Sequence, residues 1–141
     1  MKYLDELKHA VVRIGGDGRF QIDEYLTENI TPLFAEMLLS EAALFGPPTT
    51  VLTDAPARGC HENCLNYVMS KGGDPWSGFA LNAGVWRVHS WVVENGAIVE
   101  ASPFACERYV GVAINTRERV AACFPQAGEP LPAECSKRVS S

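Results

Sequence analysis

Apolar side chains recur at Tyr3, Leu4, Leu7, Val11, Val12 and Ile14, close to a 3.6-residue period, and this spacing predicts an amphipathic helix. Gly15-Gly16-Asp17-Gly18 stops it, because consecutive glycines leave the backbone too free to stay helical. A second helix is predicted from Thr31 as N-cap and Pro32 at the first helical position to about Leu44, ended by Gly46-Pro47-Pro48. Thr49–Leu52 reads as a short strand. The loop Asp54–Gly59 leads into a third helix, Cys60–Ser70, closed by Lys71 and Gly72-Gly73. The pattern then changes to short runs rich in β-branched and aromatic residues. These predict strands at Phe79–Leu81, Val85–Glu94 and Ala97–Ala101, with turns at Asn82-Ala83-Gly84 and Asn95-Gly96. A tail helix over Thr116–Phe124 precedes a loose terminus carrying Pro130 and Pro132.

The expected fold class is therefore α+β, with N-terminal helices and a Cys-bearing helix packed on a small antiparallel β-sheet. The 141 residues fit a single domain of the usual 100–150 or so. Within that domain, 1–53 reads as a helical part, 54–103 as the core and 104–141 as a C-terminal extension.

Asn-Gly is the strongest short hairpin signal, and a two-residue turn at Asn95-Gly96 sets a register. Glu94 then faces Ala97, Val93 faces Ile98, Val92 faces Val99, Trp91 faces Glu100, Ser90 faces Ala101 and His89 faces Ser102. Opposed residues share a face, as do residues two apart on one strand. His89, Trp91, Val93, Ile98, Glu100 and Ser102 accordingly line one side. Val88, Ser90, Val92, Glu94, Ala97, Val99 and Ala101 line the other. Glu100 becomes a diagonal neighbour of His89, within reach of one ring nitrogen.

A histidine inside a strand, oriented by a carboxylate, suits a base that serves a nucleophile. A thiol attacks only as its thiolate, and a helix N-terminus lowers its pKa through the unpaired N–H groups and the helix dipole. Cys60, after Gly59 at the start of the third helix, occupies such a position, and its own amide N–H is suited to binding an oxyanion. Side chains of Thr53–Arg58 are further oxyanion candidates by proximity. His61 adjoins Cys60, where neighbouring residues on a helix do not face each other, and His9 lies on the polar side of the first helix. Cys64, one turn in, reads as a packed side chain, and Cys106, Cys123 and Cys135 as structural.

These residues resemble the transglutaminase-like core of the papain-like cysteine enzymes. Gly59-Cys60 opening a helix, Gly78-Phe79-Ala80-Leu81, His89-Ser90-Trp91-Val92 and Val99-Glu100-Ala101-Ser102-Pro103 carry the resemblance, which spans residues 54–103. It implies the order Cys, His, acid, on a helix packed against an antiparallel sheet. Glu100 stands where that family usually has Asp. The implied function is a cysteine-dependent hydrolase or acyltransferase acting on an amide bond of a protein or peptide, as peptidase, amidase or deamidase. A Cys60-His89-Glu100 triad would work through a thioester.

Composition narrows the alternatives. A net charge of −5 and the lack of a Lys/Arg run disfavour nucleic acid. No stretch approaches the roughly 20 apolar residues needed to span a bilayer. The acidic N-terminus lacks a signal peptide's apolar segment, so a cytoplasmic location is expected. Five cysteines, an odd number without a signal peptide, argue against a disulfide framework. No phosphate-loop or dinucleotide pattern calls for an organic cofactor. Two other readings stand beside the enzyme: a zinc-binding domain using Cys60, His61, Cys64 and His89, with Cys106 as the alternative to His89, and a non-catalytic binding module. Against zinc, the chain lacks a second cysteine knuckle.

Overall fold

The computed structural model describes residues 2–21, 31–52, 60–103, 105–116 and 118–119, excluding the side chains of Lys2, Tyr3, Cys60 and His61. The order of elements is α1 (Lys2–Gly15), β1 (Arg19–Gln21), α2 (Pro32–Glu41), β2 (Ala43–Phe45), β3 (Thr50–Val51), α3 (Cys60–Lys71), β4 (Asp74–Asn82), β5 (Val85–Glu94), β6 (Ala97–Glu100) and β7 (Arg108–Ala113). The class is α+β. Among the described residues, seven strands form one sheet in the order β2-β7-β4-β5-β6-β3, with β1 beside β5. Pairing is antiparallel except for β1 on β5 and β3 on β6.

Local chemistry accounts for the helix ends. At the C-terminus of α1, the Gly15 carbonyl accepts from the Arg108 guanidinium (2.6 Å) and the Gly16 carbonyl from the Trp86 indole N–H (3.1 Å). Thr31 caps α2, its hydroxyl oxygen accepting the Phe34 N–H at 3.2 Å, as expected from the sequence. That helix stops at Glu41 rather than Leu44, because Ala43–Phe45 pair with β7 instead. Strand pairing supplies those backbone groups with partners that a final helical turn would leave exposed.

β4, β5 and β6 form a meander. Both turns are tight, with Ala83 and Gly84 at φ 52° and 77°, and Asn95 and Gly96 at 54° and 78°. Such primed turns match the twist of the strands that they join. β4 begins five residues earlier than the sequence pattern indicated, at Asp74, and pairs along its whole length with β5. β7 lies between β2 and β4, so the part read as a C-terminal extension supplies an inner strand. The tail helix and loose terminus fall almost wholly outside the described residues.

The two faces of the sheet have different partners. Phe79, Trp86, Val88 and Val110 pack against α1 and α2 through Leu7, Val11 and Leu38. Further along this face, Val92, Val99 and Ala101 meet Cys64, Tyr67 and Val68 of α3. The opposite face gathers Ala80, Trp91, Ile98, Cys106 and Tyr109. β6 and β7 stand three strands apart, roughly 14 Å across a flat sheet. Yet the Tyr109 hydroxyl meets the Glu100 carboxylate at 2.6 Å, so the sheet curls around this second face.

The close approach of β4 and β7 depends on paired glycines. A Cβ on Gly78 would press into the Val110 carbonyl oxygen and lie 2.5 Å from Gly111 Cα. Neither backbone atom can yield without parting the strands. Gly78→Ala is expected to cost about 3 kcal/mol or more, read as a lower urea midpoint, and an unchanged midpoint would contradict this packing. Among the described residues, no helix is long and apolar enough to cross a membrane.

Candidate functional site

His89 projects from the middle of β5 into the concave face and is 4% exposed, while Glu100 on β6 is fully buried. His89 Nε2 lies 2.9 Å from Glu100 Oε1 and 3.0 Å from Oε2. The register that brings them together starts at the Asn95-Gly96 turn, with Glu94 opposite Ala97, Val93 opposite Ile98 and Val92 opposite Val99. The ladder ends there. The further pairs expected from the sequence, Trp91–Glu100, Ser90–Ala101 and His89–Ser102, are not part of it. β6 instead gives its other edge to β3, with Val51 beside Glu100 and the Leu52 N–H on the Glu100 carbonyl at 2.9 Å. Curvature replaces the missing pairs and carries the carboxylate to the ring.

The hydrogen bonds around Glu100 identify the donors. A carboxylate only accepts, so the tautomer that suits this contact presents Nε2–H to Glu100, and Nδ1 is then the other ring nitrogen. Glu100 also accepts the Tyr109 O–H at 2.6 Å and the Ser102 N–H at 3.1 Å. The Tyr109 oxygen in turn accepts the Cys106 N–H at 3.1 Å. Burial, with the Glu100 charge adding to it, pushes the Tyr109 phenol far above its ordinary range. The phenol therefore stays a donor at any physiological pH.

Aromatic packing dries the pair. The indole of Trp91 stacks on His89, with ring centroids 6.3 Å apart, and meets Tyr109 edge-on at 5.0 Å. Room for it comes from Gly111, where a Cβ would lie 2.6 Å from the indole ring. Two buried polar atoms beside this cluster, Trp91 Nε1 and Ser102 Oγ, have no hydrogen-bond partner among the described residues. Phe45 joins the same side of the sheet. Phe79 and Trp86 belong instead to the core under α1.

The site contains Tyr109, which the sequence did not single out, and Cys106, which reads there as structural or as an alternative to His89 in completing a zinc set. The Cys106 sulfur, one ring nitrogen of His89 and a Glu100 oxygen all lie within 4.8 Å of one another, and all three residues are buried. Burial raises the Cys106 thiol pKa, and the Glu100 charge adds to this while His89 opposes it. The available signal was Tyr109 itself, since a tyrosine in an apolar strand must bring its hydroxyl to a partner.

Cys60 opens α3 as expected, and its side chain and residues 53–59, including the oxyanion candidates of Thr53–Arg58, lie outside the described set. The body of α3 packs on the face opposite His89. Cys64 is fully buried against Val92, Val99 and Ala101, whose side chains alternate away from Trp91 and Glu100. Cys64 and His89 therefore project from opposite faces of the sheet, an arrangement that disfavours one ion shared by Cys60, His61, Cys64 and His89. A break in the flanking ladders lies at His89: β1 pairs with Val85–Arg87 and β6 with Val92–Glu94, leaving Val88–Trp91 between them.

No protein-family model matches this chain, and no curated protein or solved structure matches it either.

Proposed function

We propose that this protein is a cysteine-dependent hydrolase or acyltransferase of the transglutaminase-like kind, acting on an amide bond of a protein or peptide. The observation that carries the reading is the buried imidazole of His89, gripped through Nε2 by both oxygens of Glu100. A carboxylate that fixes the tautomer leaves Nδ1 as the working nitrogen and stabilises the imidazolium formed during turnover. Tyr109 and Ser102 fix the carboxylate in turn, so the base is held before substrate arrives.

In this reading Cys60 is the nucleophile. Its place at the first position of α3 favours the thiolate. α3 lies on the far face of the sheet, so the sulfur must reach Nδ1 at Val88–Trp91, the interval between the two flanking ladders. β3, the last described element before α3, is tied to the Glu100 backbone, and in this reading the helix tip lies toward that end of β6. The thiolate attacks the amide carbonyl, the Cys60 N–H receives the oxyanion, and the imidazolium protonates the leaving amine. Water or an amine then resolves the thioester.

Alkylation tests the assignment of the thiol. With iodoacetamide at neutral pH and mass mapping, Cys60 is expected to label first. Cys106, whose thiol pKa is raised by burial, should label slowly and gain only as the pH rises past the ordinary value of 9.0. His89→Ala should slow Cys60 toward the rate of an ordinary thiol. Equal labelling of Cys60 and Cys106 at neutral pH would leave a domain that keeps a fold without the chemistry.

A further inference from the structure

We infer that His89, Glu100 and Cys106 form a binding site for a divalent transition-metal ion of the zinc class. The ligand is chosen by donor chemistry. Imidazole nitrogen, thiolate sulfur and carboxylate oxygen together suit zinc or cobalt, whereas magnesium and calcium take oxygen alone. Geometry agrees. The three donor atoms lie within 4.8 Å of one another, and around a four-coordinate ion they would be roughly 3.3–3.8 Å apart. Side-chain adjustments of about 1 Å or less close the difference, with no movement of strands.

Charge supports the same assignment. Glu100 is fully buried, and a buried charge is costly unless it is matched. A divalent cation meeting one carboxylate and one thiolate gives a neutral centre. Binding releases the thiol proton of Cys106 to solvent. A ring nitrogen without a proton must face the ion, so if Nε2 ligates, its proton moves to Nδ1. The supports that orient metal ligands are already present: Tyr109 and the Ser102 N–H both donate to Glu100. Trp91 and Ile98 complete a dry wall around them. Two cluster members come from the β5–β6 hairpin and the third precedes β7, so the site joins parts of the chain distant in sequence.

The consequence for activity rests on the proposed function: an ion held by His89 takes the base away from the thiol, so metal would act as a brake. The binding itself does not depend on that reading, and its test uses no substrate. Titrating metal-free full-length protein with Co2+ should give one ion per chain and a near-ultraviolet thiolate-to-cobalt charge-transfer band. That band should vanish in Cys106→Ser and persist in Cys60→Ser. Glu100→Gln should weaken binding about 10-fold or more. Should Cys106→Ser fail to fold, X-ray absorption of the zinc-loaded parent decides instead, with one sulfur and otherwise nitrogen or oxygen neighbours expected. Absence of the band, its loss in Cys60→Ser, or a shell with no sulfur or two would overturn the site. A band in a protein without hydrolytic activity would keep the site and remove the enzyme reading, and turnover without a band would do the reverse.

Discussion

Replacing His89 by alanine is expected to remove turnover and weaken the fold together. The imidazole is the base in the proposed reaction, and loss of a positioned base lowers the rate by about 10^2–10^4-fold. The same change leaves Glu100, fully buried, without the ring that lies against both of its oxygens. Breaking a buried pair by removing one partner costs about 3–5 kcal/mol. Tyr109 and Ser102 still donate to the carboxylate, so the lower end of that range is expected. Urea unfolding and a peptide or amide assay on the same sample measure the two losses. A variant as stable as the parent would mean that Glu100 gains little from the ring, and the orienting argument would fail with it. Glu100→Gln should reduce the rate less than His89→Ala, because orienting a base contributes less than supplying one. It should also be poorly tolerated: its amide NH2 would have to face a group that itself donates, whether Nε2–H, Tyr109 O–H or Ser102 N–H.

Cys60→Ala separates chemistry from stability. It truncates one small side chain at the first position of α3, so the far-ultraviolet circular dichroism and the unfolding midpoint should hold. Turnover should fall on the order of 10^4-fold or more, since removing a nucleophile leaves only the contributions of binding and the oxyanion site. Single-turnover assays with an activated ester are the sensitive readout, because the thioester would accumulate in the parent and not in the variant. Retained activity would move the nucleophile elsewhere. Cys106 would then be examined first, as the thiol already beside His89 and Glu100.

Much of the hairpin was legible from residues alone. Asn95-Gly96 set the turn, the turn set the register, and period-two alternation placed His89, Trp91 and Glu100 on one side. Thr31-Pro32 marked the start of α2 in the same local way. What escaped was non-local. β1 and β3 are very short and pair in parallel with strands far away in the chain, and nothing in their own spacing indicates a partner. β7 is buried on both faces, so Tyr109-Val110-Gly111-Val112 lacks the alternation that marks a half-exposed strand. Curvature was the larger omission. The contact between Tyr109 and Glu100 spans strands that are not neighbours, and alternation tells only which side a residue faces, not how far that side bends.

The meander from Asp74 to Glu100 has a consequence for assembly. Its two tight turns close β4 on β5 and β5 on β6 from adjacent segments, which keeps the entropic cost of loop closure small. His89 and Glu100 both sit within it. The imidazole can thus find its carboxylate without waiting for β7, whose Tyr109 then closes over a pair that comes from adjacent segments. The order is favourable, because a lone carboxylate would resist being covered whereas a matched pair offers less opposition.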